Sequence, residues 1–253
     1  MTRNALAIAA LTTLAPAASA QDITVTFENA LAPGSTAFTP VFFGLHNGSF
    51  DLFNPGEAAS AGLEQVAEVG ATGTLEAEFN AAAPSGQAAT TGLVTGGSSD
   101  AVSFNVTSPA DNRFLSFATM VVPTNDLFIG NPNGIEVFDA DGNFTGPITI
   151  NIFGSQVWDA GTEVNNADDG AAFLQGINGG LGTEQGGVVE LFFNNPNAES
   201  YLDSLVGRTT APGFDIASTF NSDTLIATIT IVPAPGALAL APIAALGVTR
   251  RRA

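Results

Sequence analysis

Residues 22–28, Asp22-Ile23-Thr24-Val25-Thr26-Phe27-Glu28, alternate strictly, with Ile23, Val25 and Phe27 on one side and Thr24 and Thr26 on the other. A side-chain period of two is that of a strand with one face buried and one face wet. The segment reads as a sheet edge or the start of a meander. The same signature returns at 74–79, 101–106, 114–122, 134–138, 147–153, 188–193 and 224–232. Asn-Gly, Asp-Gly and Gly-Gly pairs punctuate these runs and accept the positive φ that tight turns require. The pattern predicts an all-β protein, an antiparallel sandwich of a single domain.

One segment departs from the alternation. After Asn54-Pro55-Gly56, the residues Ala59, Leu63, Val66 and Ala67 fall at helical spacing and Gly70 follows as a C-terminal stop. A short helix over 57–69 is expected. Residues 165–187 are rich in Gly, Asn and Asp without a period, which predicts a long acidic surface loop. No internal repeat is visible.

Both ends read as processing segments. Arg3, the apolar run Ala5 to Pro16 and the small residues Ala18-Ser19-Ala20 form a signal peptide over 1–20, with cleavage between Ala20 and Gln21. At the other end Val232-Pro233-Ala234-Pro235 precedes an apolar run, 236–248, and the cluster Arg250-Arg251-Arg252. A helix of that length spans only about 20 Å, less than the ~30 Å hydrocarbon core, so it suits transient membrane association better than a durable anchor. The working domain is then 21–231 and the tail 232–253. Within the domain two arginines face 24 acids, a net charge of −22 with no lysine. Such a surface cannot neutralise phosphates, so nucleic acid is not a partner, and cations are attracted. The absence of cysteine excludes disulfide scaffolds, thiolate metal sites and thiol nucleophiles.

The tail resembles a PEP-CTERM signal, with Ala234 where that family has Glu. This implies an exosortase-type processing partner and a secreted or outer-envelope location in a Gram-negative-type bacterium. An ordinary hydrophobic tail helix is the alternative.

Two blocks of the domain carry a second resemblance. The first runs Thr39-Pro40-Val41-Phe42-Phe43-Gly44-Leu45-His46-Asn47, Leu52-Phe53-Asn54-Pro55-Gly56, Ala59-Ser60-Ala61-Gly62-Leu63 and Ala67-Glu68-Val69-Gly70. The second is Phe117 to Gly130, containing Pro123-Thr124-Asn125-Asp126, with Trp158-Asp159-Ala160-Gly161-Thr162-Glu163-Val164-Asn165 further on. Over roughly Ile23 to Asn165 the chain resembles the spondin N-terminal domain family. The resemblance implies an eight-stranded sandwich related to C2 domains, a calcium ion held by Asp126, Asp159 and Glu163, and an adhesion or matrix role toward a cell-surface glycan or protein. Leu127 stands where an aromatic is usual, and Glu163 where animal members tend to have Asp.

On the residues alone, Asp126, Asp159 and Glu163 read as solvated loop acids in a chain full of them, although the Ala-Gly-Thr turn between Asp159 and Glu163 could fold both carboxylates around one ion. Asp139-Ala140-Asp141-Gly142-Asn143 begins like an EF-hand loop, but Phe144 takes the sixth position and Ile150 the twelfth, so a hairpin connection is the better reading. His46, the single histidine, lacks an accompanying basic group and suits a structural hydrogen bond. Ser49, His46 and Asp51 form a triad only on paper, without a nucleophile elbow. A non-enzymatic role is expected. A glycan-binding module and a carboxylate-dependent hydrolase are the alternatives, and against the hydrolase one Trp and one Tyr are few for a glycosidase's sugar cleft.

Overall fold

The computed structural model describes residues 21–234. Ala20, Pro235, the apolar tail and Arg250, Arg251 and Arg252 lie outside the described residues. In chain order the elements are β1 (Gln21–Asn29), β2 (Ala37–Phe38), β3 (Phe42–His46), α1 (Ala61–Val69), α2 (Gly73–Ala82), β4 (Gln87–Thr90), β5 (Ser99–Val106), β6 (Phe114–Val122), β7 (Leu127–Gly130), β8 (Ile135–Glu136), β9 (Ile148–Phe153), β10 (Trp158–Asp159), β11 (Glu190–Leu191), α3 (Ala198–Leu205) and β12 (Leu225–Pro233). Eight of the strands have four residues or more, and the other four are two-residue pairings.

They form two antiparallel sheets, β5-β1-β12-β9 and β11-β10-β7-β6-β3-β4, with β2 and β8 also pairing to β6. The inner faces meet in one core: Ile23, Val25 and Phe27 of β1 and Ile229 and Ile231 of β12 pack with Phe43, Leu45, Leu115, Phe117 and Ile129 of the larger sheet. Burying each such side chain contributes about 1.5–3 kcal/mol, so the fold needs no cross-link. The all-β sandwich expected from the alternation is present.

The larger sheet is covered on its other face too. Phe42, Ala118 and Phe128 pack against Leu63, Val66 and Ala67 of α1 and Leu75 and Phe79 of α2. This explains why β6 is apolar along nearly its whole length, since both faces are buried.

Several elements differ from the sequence reading. β1 is an interior strand, not an edge, because β5 and β12 flank it in register from Gln21 to Asn29. Residues 74–79 are helical: Leu75 and Phe79 suit alternation and i, i+4 spacing equally, and both side chains are buried against the sheet as part of α2. α1 starts at Ala61 because the Ser60 hydroxyl accepts from the Leu63 N–H, and Gly70 ends it at φ 69°. The strand expected over 188–193 shortens to β11, because the chain then turns to pack both Phe192 and Phe193 inward, near Tyr201 and Phe220. The helix α3 was not anticipated; its buried residues are Ala198, Tyr201, Leu202 and Leu205. β12 continues through Val232 and Pro233, opposite Thr24 and Ile23, and the Ala234 N–H donates to the Asp22 carbonyl at 2.8 Å. Val232, Pro233 and Ala234 of the Val232-Pro233-Ala234-Pro235 segment therefore stand on the sandwich. No helix among the described residues is long and apolar enough to cross a membrane.

Candidate metal centre

Asp126 ends the turn between β6 and β7. That turn is fastened by Thr124, whose hydroxyl donates to the Val121 carbonyl at 2.6 Å and accepts from the Leu127 N–H at 3.2 Å. β10 pairs with β7, placing Asp159 opposite Leu127, and the Ala160 N–H donates to the Asp126 carbonyl. Two acids 33 positions apart thus meet at one end of neighbouring strands. Asp126 is fully buried and Asp159 nearly so.

Their hydrogen bonds are unequal. Asp126 Oδ2 accepts from the Thr162 N–H at 2.8 Å, the Thr162 hydroxyl at 3.2 Å and the Glu163 N–H at 3.0 Å. Asp126 Oδ1 is buried and accepts nothing among the described residues. Asp159 Oδ1 accepts from the Gly161 N–H at 2.8 Å, and Oδ2 from the Asn165 side-chain amide at 2.6 Å. Asn165 Oδ1 is a second buried acceptor without a donor. An orphaned buried acceptor costs about 1–3 kcal/mol, more if it is charged.

Burial raises the Asp126 carboxyl well above its ordinary range, and the negative charge of Asp159 adds to this, against the pull of the Thr162 and Glu163 hydrogen bonds. Burial likewise raises Asp159. No cation offsets the pair: among the described residues the ion pairs are Arg113 with Glu136 and Arg208 with Asp168.

Glu163 is placed beside this pair but engages it differently. Its backbone caps Asp126, whereas its carboxylate accepts from the Gly182 N–H at 2.7 Å and from the Asn125 amide at 3.3 Å. Gly170 and Gly182 crowd that carboxylate, since a Cβ on either would stand 2.6 or 2.8 Å from Glu163 Oε2. Among the described residues no group of three or more His, Cys, Asp or Glu side chains converges as a metal site. At this pair the acceptors left without donors are Asp126 Oδ1 and Asn165 Oδ1, and these are the oxygens that a hard cation could take; calcium accepts carboxylate and amide oxygens alike and completes its shell with carbonyls and water.

Asn165 and Asn125 are the polar groups that residue-type reasoning passed over, because it counted charges. Asn125 ties the site to α3: its side-chain oxygen accepts from the Tyr201 hydroxyl at 2.8 Å and from the Asn166 N–H at 2.9 Å. Gly161 shapes the Asp-Ala-Gly-Thr turn at φ 70°, with Val188 backbone atoms 2.6 Å from where a Cβ would stand.

The other candidates resolve locally. Asp139 accepts from the Asp141 and Asn143 N–H groups within a local turn closed by the Phe138 and Phe144 bridge, and not within a hairpin of the flanking strands, because β8 pairs with β6 and β9 with β12 in different sheets. His46 is buried among Phe50, Phe79 and Phe114. Its Nδ1 accepts from the Gly48 N–H at 3.0 Å, so Nε2 carries the proton toward the Ser116 hydroxyl, also at 3.0 Å. Burial lowers its pKa. Ser49 donates to the Ala82 carbonyl and not to His46.

Comparison with curated proteins finds no match. The Spondin_N family model matches residues 26–175, more than half of the 253-residue chain and all of Asp126, Asp159, Glu163 and Asn165, and the chain belongs to the spondin N-terminal domain family.

Proposed function

We propose that this domain is an exported envelope or extracellular-matrix module, non-enzymatic, in which calcium held by Asp126 and Asp159 stabilises an adhesion or attachment surface. The observation that carries the reading is the buried carboxylate pair with, among the described residues, an unpartnered Asp126 Oδ1 and no cation paired to it. Burying two like charges is costly unless a counter-charge or a proton is supplied, and a divalent ion supplies the charge. Asn165 contributes a neutral oxygen and holds Asp159, while Thr162 and the Glu163 backbone hold Asp126. The ion would neutralise the pair and join the β6–β7 turn to the loop after β10.

The test is thermal unfolding in calcium and in EGTA. An ion bound only by the native state adds about 2.7 kcal/mol at a hundredfold excess over Kd. Asp126→Asn and Asp159→Asn should abolish most of the shift, whereas Asp139→Asn and Asp141→Asn should keep it. Identical wild-type curves in the two conditions would overturn the proposal. Intact mass of the secreted form, expected to begin at Gln21 and to lack Arg250-Arg251-Arg252 in a host with an exosortase, checks the export half; a full-length mass in the medium refutes it.

A further inference from the structure

Beside the carboxylate pair, the loop after β10 opens onto a cleft of about 270 Å³. Its second wall is α3, preceded by Asn197, and the residues facing the cleft there are Asn197, Ser200, Tyr201 and Ser204. They fall three and four positions apart, one face of a helix. This wall lies beyond the residues that the family model matches.

The cleft carries two charged residues, Asp168 and Arg208, which offset each other as an ion pair at its rim, and the rest of its lining is neutral. Arg208 closes one end, but its guanidinium already donates to Asp168 Oδ1 at 2.6 Å and to the Ala167 carbonyl at 2.9 Å. The Tyr201 hydroxyl is committed to Asn125. The Asn166 amide nitrogen, the Asn197 amide and the Ser200 hydroxyl make no hydrogen bond among the described residues. Amides and hydroxyls offer donors and acceptors side by side, which is what a pair of sugar hydroxyls satisfies. A domain with two arginines against 24 acids repels anions, so an acidic ligand is disfavoured. The volume falls just under the ~300–1,000 Å³ of drug-sized pockets, which suits a single ring.

Asn165 belongs to both sites. It lines the cleft, and its amide donates to Asp159 Oδ2. We infer that the cleft between α3 and loop 165–168 binds a neutral, hydroxyl-rich ligand, one pyranose ring of a glycan, and that its occupancy is coupled through Asn165 to the cation at Asp126 and Asp159. The coupling rests on the proposed calcium site; the cleft itself does not.

The experiment presents the mature chain to an array of neutral glycans in calcium and in EGTA, beside wild-type and variant melting curves. Wild type should retain a subset of these glycans, and roughly tenfold less in EGTA if the coupling is of ordinary size. Asn197→Leu and Ser200→Leu add bulk on the exposed helix face, where neither side chain caps or packs, so both should abolish retention while keeping the wild-type melting temperature and its calcium shift. No retained neutral glycan, or retention unchanged in both leucine variants, would overturn the site. Retention equal in calcium and EGTA but lost in the variants supports the cleft and overturns the coupling. Absence of the calcium shift counts against the metal reading alone, and the leucine variants then still decide the cleft.

Discussion

The Glu163 backbone N–H donates to Asp126 Oδ2 at 3.0 Å while the Glu163 carboxylate turns to the Gly182 N–H at 2.7 Å. The residue therefore supports Asp126 through an atom that every amino acid except proline possesses. Its side chain serves the long loop instead, which it holds between Gly170 and Gly182.

Glu163→Gln should consequently retain the calcium-induced shift in melting temperature, which for a domain of this size is on the order of 5–10 °C at a hundredfold excess over Kd. The measurement is the shift of the variant against that of Asp126→Asn. Equal loss in both would mean that the Glu163 carboxylate binds the ion directly.

Gly161→Ala tests the turn. The φ of 70° costs a residue with a Cβ about 1–2 kcal/mol, and the Val188 backbone atoms at 2.6 Å leave no room for the methyl group. A lower melting temperature in EGTA together with a weakened calcium shift is expected, because the Gly161 N–H also donates to Asp159. Gly176→Ala, with open space around its Cβ, is the control, carrying the positive-φ cost without the clash. If Gly161→Ala and Gly176→Ala destabilise alike and both keep the shift, the close approach to Val188 has no energetic consequence.

Glu68 on α1 provides a pH test outside the ligand set. Burial, reinforced by the charges of Glu163, Glu64 and Glu184, raises its carboxyl to about 7, against the pull of the Thr162 hydroxyl. The folded state therefore keeps its proton at a pH where the unfolded chain, near 4.5, has lost it. Stability should fall as pH rises from about 4.5 to about 7 and then level off. Glu68→Gln should be more stable than wild type above pH 7 in EGTA, with the difference vanishing below 4.5. Denaturant melts across that range check it, and a variant no more stable than wild type above pH 7 would refute the assignment.

The acids of the site were legible in the sequence, because Asp126, Asp159 and Glu163 sit in two short blocks with turn residues around them, whereas the role of Asn165 was not. Nor was the acids' division of labour. Whether a glutamate offers its carboxylate or its N–H depends on which groups of a distant loop reach it, and Gly182 lies 19 positions away. The leucine and phenylalanine at 75 and 79 show the same limit in the fold, since their spacing suits either a strand or a helix until a sheet face is present to bury them.

By itself the sequence determined the alternating or continuous apolar runs that make β1, β6, β9 and β12 strands, the glycine, Gly70, that ends α1, and the acidity of the domain. These follow from local periodicity, backbone preference and charge, which neighbouring residues settle among themselves. Only the tertiary structure decided that β1 lies inside its sheet, that Asp126 and Asp159 meet, that Asp126 Oδ1 and Asn165 Oδ1 are left without donors, and that α3 completes a cleft beside them. Those features arise from pairings across tens to hundreds of residues, and what selects them is the burial of both faces of the larger sheet, a property of the assembled layers and not of any one segment.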